Sequence, residues 1–295
     1  MDRPACLLVN PSAGGGKAAR VLPDVEAELT RLGIEFRTAK TASLVHAQTL
    51  AAEAAEKGEA VVTLSGDGLV GSIVGVLAEA DDALLGVLPG GRGNDFARVI
   101  GIPLEAIPAC TVLVDGEAQA LDIGDVEGRP FIGIASLGFD SVANELANRA
   151  PAWLGQGVYA YAALRALAGW KHASFTVEPD GGEAFTFRGW SVGACNSKAY
   201  GGGMYAAPEA ELDDGLLDVV YCTETSRRAF FKVLSRIFKG TQMELPQMHM
   251  LRARSVRISA DRPFTVYADG DPIGDLPATI RVVPRALKVL CPAAA

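Results

Sequence analysis

Short apolar runs alternate with helical patterns over the first third of the chain. Apolar residues fill 5–9, 60–64 and 84–88, and residues 34–38 alternate apolar with polar side chains. In chain order, a helical pattern follows each of the first three runs. Strands separated by helices pair in parallel, with helices covering both faces of the sheet. The pattern therefore predicts an α/β domain over residues 1–120.

From about residue 121, strand-like runs are separated by glycine, proline and aspartate turns instead. This texture is typical of an antiparallel β-sandwich-like domain, which we expect over residues 121–284 with helices near 152–169 and 225–239. Residues 285–295 are expected to return to the first domain, so the predicted fold class is α/β plus β. The strand-like runs cover 131–135, 174–177, 184–187, 191–194, 217–221, 256–259, 263–268 and 278–283.

Composition and charge narrow the class of protein. Hydrophobic residues make up 49% and charged residues 21% of the 295-residue chain, which indicates a folded protein. The net charge of −8 repels nucleic acid, so we expect no nucleic-acid partner. The five cysteines lie far apart without a Cys-x-x-Cys pair, which indicates reduced thiols in a cytoplasmic protein. The oligomeric state stays open, a homodimer included.

Any contact with a membrane is expected to be peripheral. No stretch approaches the roughly 18 apolar residues of a membrane span. In a helix over 226–239, four of the five cations fall on one face and apolar residues on the other, which predicts docking on anionic lipid or an ordinary packed amphipathic helix. These cations are Arg228, Lys232, Arg236 and Lys239. The apolar helical stretch 153–170 is expected to pack in the core or to line an acyl-chain groove.

A glycine-rich turn follows the first predicted strand. Residues 10–17 read Asn-Pro-Ser-Ala-Gly-Gly-Gly-Lys and open a helix. Consecutive glycines let backbone N–H groups approach an anion, and the helix N-terminus adds a partial positive charge. Lys17 lies where it could reach a phosphate. The alternative is a plain strand-to-helix turn, since the Gly-Lys-Ser/Thr ending of a Walker motif is missing.

Two further glycine-rich turns follow the third and fourth predicted strands. They read Ser-Gly-Asp-Gly at 65–68 and Pro-Gly-Gly-Arg-Gly-Asn-Asp at 89–95. Asp67 is suited to accept from nucleotide hydroxyls or to hold Mg²⁺ through water. Each turn alone also fits a plain turn, and Asp95 fits an N-terminal helix residue. Ligands bind at the carboxyl ends of strands in open α/β sheets, so the three turns together predict a nucleotide cradle.

Seven segments in order give the chain a family resemblance. It resembles the lipid kinase family that unites bacterial-type diacylglycerol kinases with sphingosine and ceramide kinases. The resemblance implies transfer of the γ-phosphate of ATP to a lipid hydroxyl, with Mg²⁺. The matching segments are Asn-Pro-Ser-Ala-Gly (10–14), Ser-Gly-Asp-Gly-Leu (65–69), Gly-Gly-Arg-Gly-Asn-Asp (90–95), Tyr-Gly-Gly-Gly-Met (200–204), Ala-Pro-Glu-Ala (207–210), Asp-Asp-Gly-Leu-Leu-Asp (213–218) and Ala-Asp-Gly-Asp (268–271).

The resemblance and the glycine-rich turns together predict three sets of site residues. The resemblance implies a structural magnesium site with the Asp214 carboxylate and the Glu211 and Leu216 carbonyls. It also implies a base in the segment Asp269-Gly-Asp271, where Asp271 is slightly preferred over Asp269 and a plain hairpin turn is the alternative. The set expected to hold ATP and its phosphates is Asn10, Pro11, Ser12, Ala13, Gly14, Lys17, Thr41, Gly66, Asp67, Gly68, Gly91, Arg92, Asn94, Asp95 and Asp122.

The chain departs from the family pattern at three positions. Leu69 replaces a threonine, Ser72 a glutamate, and Arg92 a threonine or serine. These departures leave open a catalytically weak paralogue that binds nucleotide or lipid without turnover. An NAD kinase, which shares the Gly-Asp-Gly turn, is a further alternative. Val142 stands where sphingosine kinases place an aspartate for the substrate amine, which favours a diacylglycerol-like acceptor.

Overall fold

The computed structural model describes residues 1–150 and 158–293. The beginning of the predicted helical stretch, before residue 158, therefore lies outside the described residues. Within the described residues, none of the helices combines the length and apolar character required to cross a bilayer.

The first half of the chain is a parallel sheet flanked by helices. β1 pairs in parallel with β2 and β3, and β3 pairs in parallel with β4. Helices α1, α2 and α3 turn apolar faces toward this sheet and share one core with it. Its elements are β1 Ala5–Val9, α1 Ala13–Arg31, β2 Phe36–Lys40, α2 Leu44–Glu56, β3 Ala60–Ser65, α3 Asp67–Glu79, β4 Leu84–Pro89, α4 Asp95–Val99, α5 Ala106–Ala109 and α6 Val112–Asp115.

The second half is built mainly from antiparallel strands around a second core rich in aromatic residues. Trp190 stacks on Phe230 of helix α9, which fastens that helix to the strands. Its elements are β5 Glu117–Val126, β6 Arg129–Phe131, β7 Ile134–Gly138, α7 Phe139–Asn148, α8 Val158–Gly169, β8 Ala173–Pro179, β9 Phe185–Cys195, β10 Ala199–Tyr200, β11 Met204–Tyr205, β12 Leu217–Thr223, α9 Arg227–Ile237, the 3₁₀ turn Gln242–Glu244, β13 Met248–Ala253, β14 Ser255–Ala260, β15 Thr265–Ala268, β16 Asp271–Asp275 and β17 Ala278–Cys291.

The last strand, β17, joins the two halves into one sheet. Its first part pairs with β14, and its last part pairs in parallel with β4 through Lys288 and Val289. Along its length it also pairs with β5, with a register shift between Val283 and Leu287. The main strand order is β16-β15-β7-β9-β8-β14-β17-β4-β3-β1-β2. The predicted fold class, a parallel α/β unit followed by an antiparallel β-rich unit, is confirmed.

Candidate active site

The three glycine-rich turns meet at the carboxyl ends of β1, β3 and β4. Gly14, Gly15 and Gly16 all have positive φ, so the chain makes a left-handed turn before α1 becomes regular. A Cβ on Gly14 would lie 2.6 Å from the carbonyl oxygen of Gly90. A Cβ on Gly66 would lie 2.9 Å from the Cα of Gly91. The three backbones approach so closely that only glycine fits, and together they form one surface at the sheet edge.

Two aspartates converge beside this surface. A Cβ on Gly93 would lie 3.2 Å from Oδ2 of Asp67 and 3.2 Å from Oδ2 of Asp95. Asp67 accepts a hydrogen bond from the Phe96 N–H (3.0 Å), and Asp95 accepts one from the Gly202 N–H (2.6 Å). Burial raises the pKa of Asp95, and the nearby Asp67 carboxylate raises it further. Paired carboxylates of this kind suit a cation that bridges them to phosphate.

A third carboxylate, Asp269, faces the same region from the second half of the chain. It accepts backbone hydrogen bonds from Ile132 (2.8 Å), Gly133 (2.9 Å) and Ile134 (3.2 Å). A Cβ on Gly71 of α3 would lie 3.2 Å from Oδ2 of Asp269. Burial, which outweighs the three hydrogen bonds, raises the pKa of Asp269 to about 6, with a further contribution from Asp67. Asp269 also has a φ of +51°, a strained conformation that often occurs at functional sites.

Asp271 follows two residues later and begins β16 as an exposed side chain. Although the residue is exposed, its carboxyl group is partly shielded from water, and this burial raises the pKa of Asp271 as well. Among the described residues its carboxylate has neither a hydrogen bond nor an ion pair. The two candidate bases therefore differ: Asp269 is held by three backbone N–H groups, while Asp271 is free to accept a proton.

Most of the other residues predicted to contact ATP belong to the turns at this edge or lie beside them, and the two cations among them differ in their ion pairing. Thr41 donates to the Val9 carbonyl oxygen (3.3 Å) and so lies next to Asn10. Asn94 accepts from the Gly91 N–H (2.9 Å) and shapes the third turn. The exposed Arg92 has no ion-pair partner among the described residues, and its guanidinium lies over the turn at Gly15. Lys17 instead forms an ion pair with Glu105 (3.3 Å). The remaining predicted contacts, Pro11, Ser12, Ala13 and Gly68, belong to the first and second turns.

Comparisons with known proteins identify the family. Residues 4–126 match the model of the diacylglycerol kinase catalytic domain, and residues 133–291 match that of the YegS C-terminal NAD kinase beta sandwich-like domain. A diacylglycerol kinase of Mycobacterium tuberculosis is 35% identical over 97% of this chain and 94% of its own length. The chain belongs to the diacylglycerol kinase family.

More distant relatives of this diacylglycerol kinase family member agree. A diacylglycerol kinase of Staphylococcus aureus is 29% identical over 99% of this chain and 93% of its own length. A solved diacylglycerol kinase structure from Bacillus anthracis has a TM-score of 0.76 at 20% identity, covering 98% and 97% of the two chains. An NAD kinase from Archaeoglobus fulgidus, solved with ATP, shares the fold at a TM-score of 0.52 and 14% identity, over 98% and 94%.

The departures from the diacylglycerol kinase pattern can now be located. Ser72 donates its hydroxyl to the Leu69 carbonyl oxygen of its own helix (2.7 Å). It therefore leaves the site without a carboxylate at this point of α3. Leu69 is buried in the core, so its side chain is not part of the surface formed by the turns.

Asp122 lies next to the segment that holds Asp269, since the side-chain amide of Asn196 donates to the carbonyl oxygens of both Asp122 and Ile132. Asp122 is fully buried, and its two carboxylate oxygens accept from the Gly215 N–H (2.7 Å) and the Arg285 N–H (2.7 Å). It is one of the residues predicted to hold ATP and its phosphates, and that role stays a prediction. In the structure its carboxylate connects the Asp213–Asp218 segment to the irregular part of β17, and neither oxygen is exposed.

The segment around Asp214 fits a cation. One oxygen of Asp214 accepts from the Leu216 N–H (2.9 Å), and the other is buried without a hydrogen-bond partner among the described residues. Its nearest cation is Arg252, 3.6 Å away. Nowhere within 1–150 and 158–293 do three histidine, cysteine, aspartate or glutamate side chains gather as a metal site. A cation at Asp214 would therefore need backbone carbonyls, as predicted for Glu211 and Leu216.

Three features of the site were missing from the prediction. The backbone of 132–134 clamps Asp269, the Gly202 N–H holds Asp95, and a small cavity of about 50 Å³ lies beneath α9. Asp140 and Tyr200 are polar residues in the lining of this cavity, whose other walls are largely apolar. The Gly-rich segment 200–204 was a sequence signal for the Gly202 contact, whereas the clamp and the cavity depend on long-range pairing.

Proposed function

We propose that this protein transfers the γ-phosphate of ATP to the hydroxyl of diacylglycerol or a similar lipid. The carrying observation is the convergence of three glycine-rich turns and two carboxylates at one sheet edge, opposite Asp269. This arrangement supplies what phosphoryl transfer needs, namely backbone donors for phosphates, carboxylates for a metal, and a carboxylate near the acceptor.

In this proposal the turns would hold the phosphates, and the carboxylates Asp67 and Asp95 would hold Mg²⁺. Magnesium bound there would neutralise charge on the transferring phosphoryl group. Arg92, which lies over the first turn, would pair with a phosphate oxygen. A second magnesium, bound by Asp214 with the Glu211 and Leu216 carbonyls, would have a structural role.

The two aspartates of the 269–271 turn receive different roles. Asp271 takes the proton of the lipid hydroxyl, because its carboxylate has no competing donor among the described residues. Asp269 is a positioning residue, because its three backbone hydrogen bonds tie the turn to 132–134.

The test is transfer of labelled phosphate from ATP with Mg²⁺ to diacylglycerol, monoacylglycerol, sphingosine, ceramide and, separately, NAD. We expect transfer to diacylglycerol that falls at least about a hundredfold in Asp271→Asn, with unfolding unchanged, and that returns in Asp271→Glu. Asp269→Asn should lower both activity and the free energy of unfolding, which separates positioning from proton transfer. Magnesium should raise the melting temperature of wild type more than that of Asp214→Ala, which keeps only the site at Asp67 and Asp95.

Other outcomes favour the alternatives. Transfer to NAD alone would point to an NAD kinase. No transfer to any acceptor by folded protein would point to a paralogue that binds without turnover, and restoration of activity by Ser72→Glu would then identify the cause.

A further inference from the structure

A groove of about 540 Å³ lies on the second half of the chain, outside the nucleotide edge. It runs between α7, the end of α8 and strand β15. Its floor is apolar and includes Leu146, Trp170 and Phe264. Trp170 and Phe264 are buried in the aromatic core, so this floor is fixed by packing. The volume lies within the range of small-molecule binding sites.

The rim of the groove carries three cations, Arg165, Lys171 and Arg262. Among the described residues, none of them forms an ion pair with a carboxylate. Arg262 lies over the rings of Trp170 and Phe264, at 5.1 and 5.0 Å from their centroids. Arg165 and Lys171 are exposed.

The carboxylate that lines the groove does not neutralise these cations. Glu145 is paired with Arg149 at 2.8 Å. The groove therefore concentrates uncompensated positive charge in a protein whose net charge is −8. Cations above an apolar floor complement a ligand with an anionic head and an apolar tail, whereas a free anion needs no such floor.

We propose that this groove binds an anionic phospholipid, with its phosphate at Arg165, Lys171 and Arg262 and part of an acyl chain on the apolar floor. The groove is also joined to the catalytic turn. Thr265 and Tyr267 of β15 line it, and β15 ends directly before Asp269. The ligand would therefore contact the strand that carries the 269–271 turn. This proposal concerns binding and stands whether or not the protein phosphorylates diacylglycerol.

The test is quenching of tryptophan fluorescence by a short-chain phosphatidic acid with brominated acyl chains, kept below its aggregation concentration. A Trp153→Phe background leaves Trp170 in the groove and the fully buried Trp190 as emitters. We expect saturable quenching that disappears in Trp170→Phe.

Charge variants test the rim. Arg165→Gln with Lys171→Gln should weaken binding at least about tenfold. A charge-matched control, Lys57→Gln with Arg254→Gln, changes exposed cations elsewhere and should bind as wild type. Equal affinity of the two double variants would overturn the proposal. So would inorganic phosphate that competes as well as the lipid, or a brominated neutral diacylglycerol that quenches equally, since these would indicate a free-anion site or the acceptor site.

Discussion

At the scale of single residues, the site depends on carboxylates whose surroundings differ. Asp269, Asp67 and Asp95 share one region, while Asp122 is enclosed by backbone donors. Sequence motifs predicted which aspartates are candidate site residues, but not which of them are held by backbone hydrogen bonds. The reason is that the partners of Asp269 lie more than 130 residues away along the chain, so its local sequence carries no sign of them.

Asp140 allows a prediction on stability. Burial raises its pKa to about 7, and the described residues supply no cation to it. Its charge acts on Tyr200, Cys195 and Cys222, whose own pKa values are raised, so they stay neutral at ordinary pH. Because the folded protein holds the proton more tightly than the unfolded chain, its stability falls as pH rises from about 4 to about 7.

We therefore expect the free energy of unfolding of Asp140→Asn, relative to that of wild type, to increase as the pH rises through that window, by on the order of 2 kcal/mol. Urea denaturation of both proteins at pH 5 and pH 8 measures the difference in their free energies of unfolding. Titration of other groups affects both proteins equally and therefore cancels in this difference. A difference that stays constant with pH would mean that Asp140 is hydrated or paired in solution.

At the scale of elements, most helices and strands could be predicted from periodicity, and the misses have local reasons. The run 131–135 is divided between β6 and β7, because the N–H groups of 132–134 turn to Asp269. The runs 184–187 and 191–194 form the single strand β9, in which Gly189 passes close to the neighbouring strand β12 and is not a turn. β16 was missed because it contains Pro272 and Gly274, which are typical of turns.

The packing of the glycine-rich turns leads to a second prediction. A Cβ on Gly91 would lie 2.9 Å from Oδ1 of Asn94 and would also meet the backbone of Gly66. Gly91→Ala should therefore lower the free energy of unfolding by about 1–3 kcal/mol and weaken ATP binding. Gly68→Ala is the matched control, because a Cβ there meets nothing within 4 Å. Denaturation that affects both variants equally would mean that the turns separate in solution.

At the scale of the whole molecule, the last strand, β17, links the two halves because it pairs with strands of both. The last part of β17 lies beside β4, and Val289 is fully buried there. The nucleotide edge and the 269–271 turn thus belong to one continuous sheet. The sequence suggested that residues 285–295 return to the first domain. It did not indicate that they pair with β4, because hydrophobic periodicity does not encode which strands become neighbours.

The distribution of charge and exposed aromatic residues over the molecule predicts how it meets a membrane. Helix α9 buries Phe230, Val233 and Ile237, while Phe231 and Phe238 are 54% and 59% exposed. Arg228 and Lys232 are exposed beside them, whereas Arg236 pairs with Glu244 at 3.0 Å. Within 1–150 and 158–293, Arg228 and Lys232 form no ion pair, and exposed aromatic side chains next to such cations suit an anionic bilayer surface.

We expect the protein to co-sediment with vesicles that contain phosphatidylserine, and Arg228→Glu with Lys232→Glu to weaken this at least about tenfold. The estimate follows from about 1 kcal/mol per cation near an anionic surface, with repulsion added. Lys57→Glu with Arg254→Glu makes the same change in net charge away from α9. If both double variants lost binding equally, the overall charge would control it. If neither lost binding, α9 would be an ordinary packed helix with a solvated basic face.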